Sequence, residues 1–161
     1  MRVSASTRVA APIDRVWEIV SDPSCALSFL SGVTRWEVAS EEPTGLGARY
    51  RMLFRVGSAE VGGLIEIVEW HPPSDLAWTS VTGLDQRWRF RLRQGPGGQT
   101  RVEFRLAYGV AGAGLSGWIA ERVAAPTVTG HLRRSLQQLK RLVEHEQQRQ
   151  RAAERRAART G

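Results

Sequence analysis

Between Gly114 and Glu146 apolar residues recur at helical spacing, and no other stretch restricts the fold as much. Trp118, Ala125, Thr129, Leu132, Leu136, Leu139 and Val143 share one face of a long helix. The opposite face carries Arg133, Arg134, Gln137, Gln138, Lys140, Arg141 and Glu144. One side of this helix needs water and the other needs a broad apolar partner, which has to be a sheet. The stripe is bulky at both ends and small at Ala125 and Thr129. Either the gap beneath those two residues is a ligand cavity, or larger sheet residues fill it.

With 161 residues and 42% hydrophobic composition, the chain is sized for one domain, expected over residues 1–145. Residues 146–161 form an Arg-rich tail, helical or disordered, into which the helix is expected to fray after His145. A good part of the net charge of +7 lies in that tail, which sets five arginines against Glu146 and Glu154. The remaining charge is ordinary for a domain and disfavours a nucleic-acid module. Cys25 is the single cysteine, so no internal disulfide can form. The segment from Met1 to Ser4 opens no apolar signal region, and no run of about 18 apolar residues occurs. A cytoplasmic protein without a transmembrane segment is the expectation.

Residues 2–10 alternate Val3, Ala5, Thr7 and Val9 with polar neighbours, the period of a half-buried strand. Pro12 and Asp14 then start a helix with Ile13, Val16, Trp17 and Val20 on one face. Ser21-Asp22-Pro23 stops it and starts a second short helix, capped by Asp22 or Ser24 and ending near Gly32. From Val33 onward, turns at 43–45, 57–58, 71–75, 83–85 and 95–98 bound strands at about 33–41, 47–56, 59–70, 76–82, 86–94 and 99–110. Regular turns of this kind favour an antiparallel meander. Alternation turns Tyr50, Met52 and Phe54, then Trp88, Phe90 and Leu92, then Val102, Phe104, Leu106 and Tyr108 toward the helix. The strand at 59–70 is apolar on both faces, which leaves its register open.

The sequence Ala11-Pro12-Ile13-Asp14-Arg15-Val16-Trp17, followed by Val20-Ser21-Asp22-Pro23, is one of three stretches that resemble a known family. The others are Glu69-Trp70-His71-Pro72-Pro73-Ser74-Asp75-Leu76, within residues 66–76, and the close Leu139-Lys140-Arg141-Leu142-Val143-Glu144 of the segment 132–144. In order and spacing they resemble the helix-grip fold of the START and pollen-allergen superfamily. More narrowly, they are similar to the bacterial SRPBCC group of polyketide cyclase/dehydrase and lipid transport proteins. The resemblance implies an α+β helix-grip domain, with a seven-stranded antiparallel sheet wrapped around a long C-terminal helix and two short helices after the first strand. It also implies a cavity between sheet and helix, but these are scaffold motifs and bring no reaction with them. Aromatase/cyclases of the superfamily carry an arginine near the end of the strand before the Pro turn. Trp70-His71 stand there in this chain.

Candidate chemistry is sparse. His71, His131 and His145 lack metal-ligand spacing, and no metal or cofactor is expected. Cys25 has no motif around it and reads as an inert small residue. Polar groups able to face a cavity are Thr7, Tyr50, Thr100, Tyr108 and Thr129. Arg122 falls on the apolar stripe, where a cation is out of place. It either anchors a ligand's carboxylate, phenolate or enolate, or keeps its head in water or pairs with Glu18 or Glu121. Arg87, Arg89, Arg91 and Arg93 share the outer face of their strand, with cross-strand Glu103 expected to offset them.

These readings converge on a domain that binds a small hydrophobic ligand, lipid-like or aromatic, in an enclosed pocket of about 300–1,000 Å³. The expected lining is Tyr50, Phe54, Trp88, Phe90, Phe104, Tyr108, Trp118, Arg122 and Thr129. A polyketide aromatase/cyclase using the same cavity is the alternative, with Arg122 or His71 in place of the missing arginine. A basic nucleic-acid-binding module ranks below both.

Overall fold

A computed structural model describes residues 1–109 and 114–161, with side chains throughout except at 114–123. Strand β1 spans Arg2–Val9, followed by helix α1 at Ile13–Val20, a 3-10 turn at Pro23–Cys25 and helix α2 at Ala26–Phe29. The meander consists of β2 at Val33–Val38, β3 at Arg49–Val56, β4 at Ala59–His71, β5 at Asp75–Ser80, β6 at Asp85–Gln94 and β7 at Thr100–Gly109. Helix α3 spans Gly114–Thr160. The seven strands form one antiparallel sheet in the order β1-β7-β6-β5-β4-β3-β2, so the first strand closes the far edge beside the last. This is the helix-grip α+β architecture, with α3 lying across β1 and β7 and reaching β3.

The short helices follow their sequence signals. Val16, Trp17 and Val20 are buried under α1, and Pro12 holds the position just before its first turn. Asp22 is the cap of the 3-10 turn, accepting the Ser24 backbone N–H at 2.9 Å. Ser24 itself caps nothing there, and the second helix is only one 3-10 turn and one α turn long.

The register of β4, left open by its two apolar faces, has a local cause. Ile65 and Ile67 point inward and are 0% and 2% exposed. A bulge between Ile67 and Glu69 then shifts the pairing with β5, so that Trp70 pairs with Leu76 and also turns inward against Trp17. One extra residue thus brings a second parity to the same face. Glu66 and Glu69 stay outside, where Arg49 and Arg89 pair with them.

The long helix differs from its sequence reading in two ways. Its buried side is Val128, Leu132, Ser135, Leu136, Leu139 and Val143, while Thr129 is only half-buried. Val128 therefore takes the inward place at the middle of the stripe, and the hydroxyl of Thr129 bonds back to Ala125 O at 2.8 Å. The helix also does not fray after His145 but continues past Glu146 to Thr160, the helical one of the two forms expected for the tail, with every residue from 151 onward exposed. Ala, Arg, Gln and Glu are good helix formers, so local propensity sustains these last turns without burial.

Candidate functional site

The inner face of the sheet is a wall of rings set by cross-strand register. Leu76, Phe90 and Phe104 stand side by side on β5, β6 and β7, and Trp78, Trp88 and Leu106 form the next row. Phe90 and Phe104 stack with centroids 4.0 Å apart, Trp88 lies 5.4 Å from Phe104, and Phe54 meets Trp88 edge-on at 5.4 Å. Trp78 stacks on Trp88 at 6.2 Å and meets Trp36 edge-on at 5.5 Å, while Trp36 lies over Tyr50 at 5.1 Å. Among the described residues, the inward strand positions carry no carboxylate, ammonium or guanidinium.

Of the residues expected to line a pocket, Tyr50, Phe54, Trp88, Phe90 and Phe104 lie on this wall and are buried. Tyr108 is half-buried at the end of β7, paired with Gln86 across the strands. The side chains of Trp118 and Arg122 lie outside the described residues, and so does the part of the expected pocket they would close. Thr100 is fully buried, but its hydroxyl is committed to Ala11 O at 2.7 Å, and Thr7 is half-buried on β1.

The structure adds residues that the sequence reading passed over. Gln86 is 3% exposed on the inner face, and its Oε1 accepts the indole N–H of Trp88 at 2.8 Å. The amide Nε2 of Gln86 and the indole nitrogens of Trp36 and Trp78 are buried without a hydrogen-bond partner among the described residues. The period-two rule that placed Trp88 inward would also have placed Gln86 and Trp78 there. Nothing in the sequence reveals which donors find an acceptor.

A crevice opens between the 3-10 turn, α2 and the wall, lined by Ser21, Asp22, Phe29, Trp36, Tyr50 and Trp78 among others. It encloses about 310 Å³ counted out to its open mouth, of which about 10 Å³ admits the centre of a water molecule. Tyr50 donates its hydroxyl to Pro43 O at 2.5 Å. Burial first, and then the negative charge of Asp22, push the Tyr50 phenol up to about 12. The Asp22 carboxyl is held below its usual range, chiefly by the Ser24 hydroxyl and against the cost of burial.

At the other side of α2, His131 meets Ser31. The Nδ1 of His131 lies 3.0 Å from Ser31 Oγ and 3.0 Å from Arg134 Nη2. Arginine can only donate, so this nitrogen is the acceptor and the proton of the neutral ring sits on Nε2. Gly32, with φ +85°, leaves space for the ring, since a Cβ there would fall 2.8 Å from it. Burial and then Arg134 lower the His131 pKa, opposed by a hydrogen bond to the Arg55 backbone.

On the outer face, Arg87, Arg89, Arg91 and Arg93 point away from the rings. Asp75, 8% exposed, lies 3.0 Å from Arg93, 3.4 Å from Arg89 and 3.5 Å from Arg91, and Glu69 pairs with Arg89 and Arg87. Glu103 is the cross-strand neighbour of Arg91, but its carboxylate pairs with Arg105. The carboxylates that offset this row are thus mainly Asp75 and Glu69. His71 and His145 are exposed, and among the described residues no three His, Cys, Asp or Glu side chains come together. No described helix is long and apolar enough to cross a membrane.

Comparison with known proteins places this geometry among relatives. A family described as polyketide cyclase/dehydrase and lipid transport matches residues 1–144. The crystal structure of TTHA0849 from Thermus thermophilus aligns with a TM-score of 0.76 at 22% identity, covering 89% of this chain and 97% of that one. A START superfamily protein from Mycobacterium smegmatis aligns at 0.70 and 17% identity, covering 89% and 97% of the two chains. The Zhui aromatase/cyclase from a Streptomyces species also aligns at 0.70 and 17% identity, covering 89% and 95%. At these identities the structural likeness establishes a shared fold. No curated protein matches the chain.

Proposed function

The chain belongs to the polyketide cyclase/dehydrase and lipid transport family, and on that premise we propose that it binds a small hydrophobic ligand, lipid-like or aromatic, between the sheet and α3. One observation carries the reading: the inner face is a continuous wall of aromatic rings, and its described strand positions hold no charged group. Such a wall suits an apolar guest, since rings provide large contact area at low cost in side-chain entropy. The residues proposed to touch the ligand are Tyr50, Phe54, Trp88, Phe90, Phe104, Tyr108 and Thr129, with Trp118 and Arg122 on the helix above. An aromatase/cyclase would need a proton donor or acceptor at the reacting carbon, and no observation favours one over simple binding. Native mass spectrometry of the purified protein mixed with fatty acids and planar aromatics tests the proposal. A one-to-one adduct that survives gentle desolvation supports it, and the bare protein alone across the whole series contradicts it.

A further inference from the structure

Three side-chain nitrogens on the inner face have no acceptor among the described residues, and two of them belong to side chains that line one crevice. We infer that the crevice between the 3-10 turn, α2 and the wall is the polar end of the ligand site, where Trp36 and Trp78 recognise a neutral oxygen, hydroxyl or carbonyl, on an otherwise apolar ligand. This rests on the proposed binding of an apolar ligand and adds its chemical class.

The two indole nitrogens are shielded from solvent and have no partner among the described residues, whereas Trp88 on the same wall donates to Gln86. A buried donor without an acceptor costs folding free energy, so two such donors on side chains that line one opening favour an acceptor brought from outside. The other hydroxyls lining the crevice already use their protons. Tyr50 donates to Pro43 O, and Ser21 donates to Trp17 O at 2.7 Å. About 10 Å³ of the crevice is open to the centre of a water molecule, room for one oxygen-sized group.

Charge then selects among oxygen ligands. Asp22 lines the same crevice as a carboxylate, and no lysine or arginine lines it. A carboxylate ligand would meet a like charge without a counter-ion. A hydroxyl can accept from an indole and donate to Asp22, and a carbonyl can accept from both indoles. Neutral oxygen is therefore favoured over the head of a fatty acid.

The test compares three probes of one shape: naphthol, methylnaphthalene and naphthoate, substituted at the same ring position. Binding is followed by the indole N–H signals in two-dimensional NMR, with Trp36→Phe and Trp78→Phe assigning the peaks. Hydrophobicity alone ranks methylnaphthalene above naphthol, so a reversed order isolates the hydrogen bond. Naphthol should bind about tenfold tighter than methylnaphthalene and shift the Trp36 and Trp78 signals, with naphthoate weakest. Each Phe variant should cut the naphthol preference, read as the ratio of the naphthol and methylnaphthalene affinities in that same variant, to about twofold or less. Equal binding of naphthol and methylnaphthalene, with both signals unmoved, would mean that the crevice holds only water; the inference then fails while the apolar-ligand reading stands. Should none of the three probes bind, both fail. If a Phe variant does not fold, the affinity order and signal shifts of the wild-type protein decide.

Discussion

Phe90 and Phe104 are cross-strand partners on β6 and β7, and their rings lie 4.0 Å apart at 6° from parallel, both fully buried. The pair belongs to the inner wall, so it supports the fold and the proposed site together. Phe104→Ala should destabilise the protein by about 3–5 kcal/mol in chemical denaturation. A double-mutant cycle with Phe90→Ala should return a coupling of about 0.5–1.5 kcal/mol. Additive losses would mean that the rings merely share a core.

Leu132 and Leu136 are 0% and 2% exposed on the inward side of α3. Replacing either with Ala should cost about 2–5 kcal/mol. A loss below about 0.5 kcal/mol would place the residue at the surface.

The tail tests the other end of this helix. Residues 151–161 are all exposed. Deleting them should leave the melting temperature nearly unchanged. A fall of several degrees would show that these turns dock.

His131 accepts from Ser31 and Arg134 through one nitrogen, which makes its neutral form the folded one. Its pKa is lowered in the fold, so the unfolded chain takes up the proton first. Its contribution to stability is complete above the ordinary value of 6.5 and declines as pH falls toward the folded pKa. Wild-type melting temperature should therefore drop between about pH 7 and pH 5, and His131→Gln should flatten that part of the curve. An unchanged slope in the variant would assign the acid sensitivity to other groups.

Asp75 gives the opposite window. Burial raises its pKa, but the hydrogen bonds of Arg93 and Ser74 and the charges of Arg93 and Arg89 outweigh burial and hold it below the ordinary 3.8. Its stabilisation is present above that value and is lost as pH falls through the lower, folded pKa. Asp75→Asn should cost about 1.5–3 kcal/mol at neutral pH, and the gap from wild type should close in strong acid. A gap independent of pH would show that charge is not what Asp75 contributes.

Where a local pattern sufficed, the sequence was a good guide. Alternation alone turned Tyr50, Phe54, Trp88, Phe90 and Phe104 inward, and turn residues separated seven strands. Parity failed in β4, because the bulge beyond Ile67 reverses the facing of Trp70 without a marker in an apolar stretch. Helical spacing admits Thr129 and Val128 almost equally, and only packing against the sheet chose Val128. The meeting of Ser31 with His131 joins residues 100 positions apart, and no local signal carries such a contact. The unpaired donors of Trp36 and Trp78 were illegible for the same reason, since satisfaction depends on every neighbour in space.

Titration with an environment-sensitive apolar dye at about 50 mM and about 500 mM salt measures whether an apolar ligand is held between sheet and helix. Saturable one-to-one binding is expected, with displacement by planar aromatics and affinities within about twofold at the two salt concentrations, because apolar contact releases no counterions. Failure of the dye to saturate, or binding that falls steeply with salt and is competed by nucleic acid, would contradict this expectation.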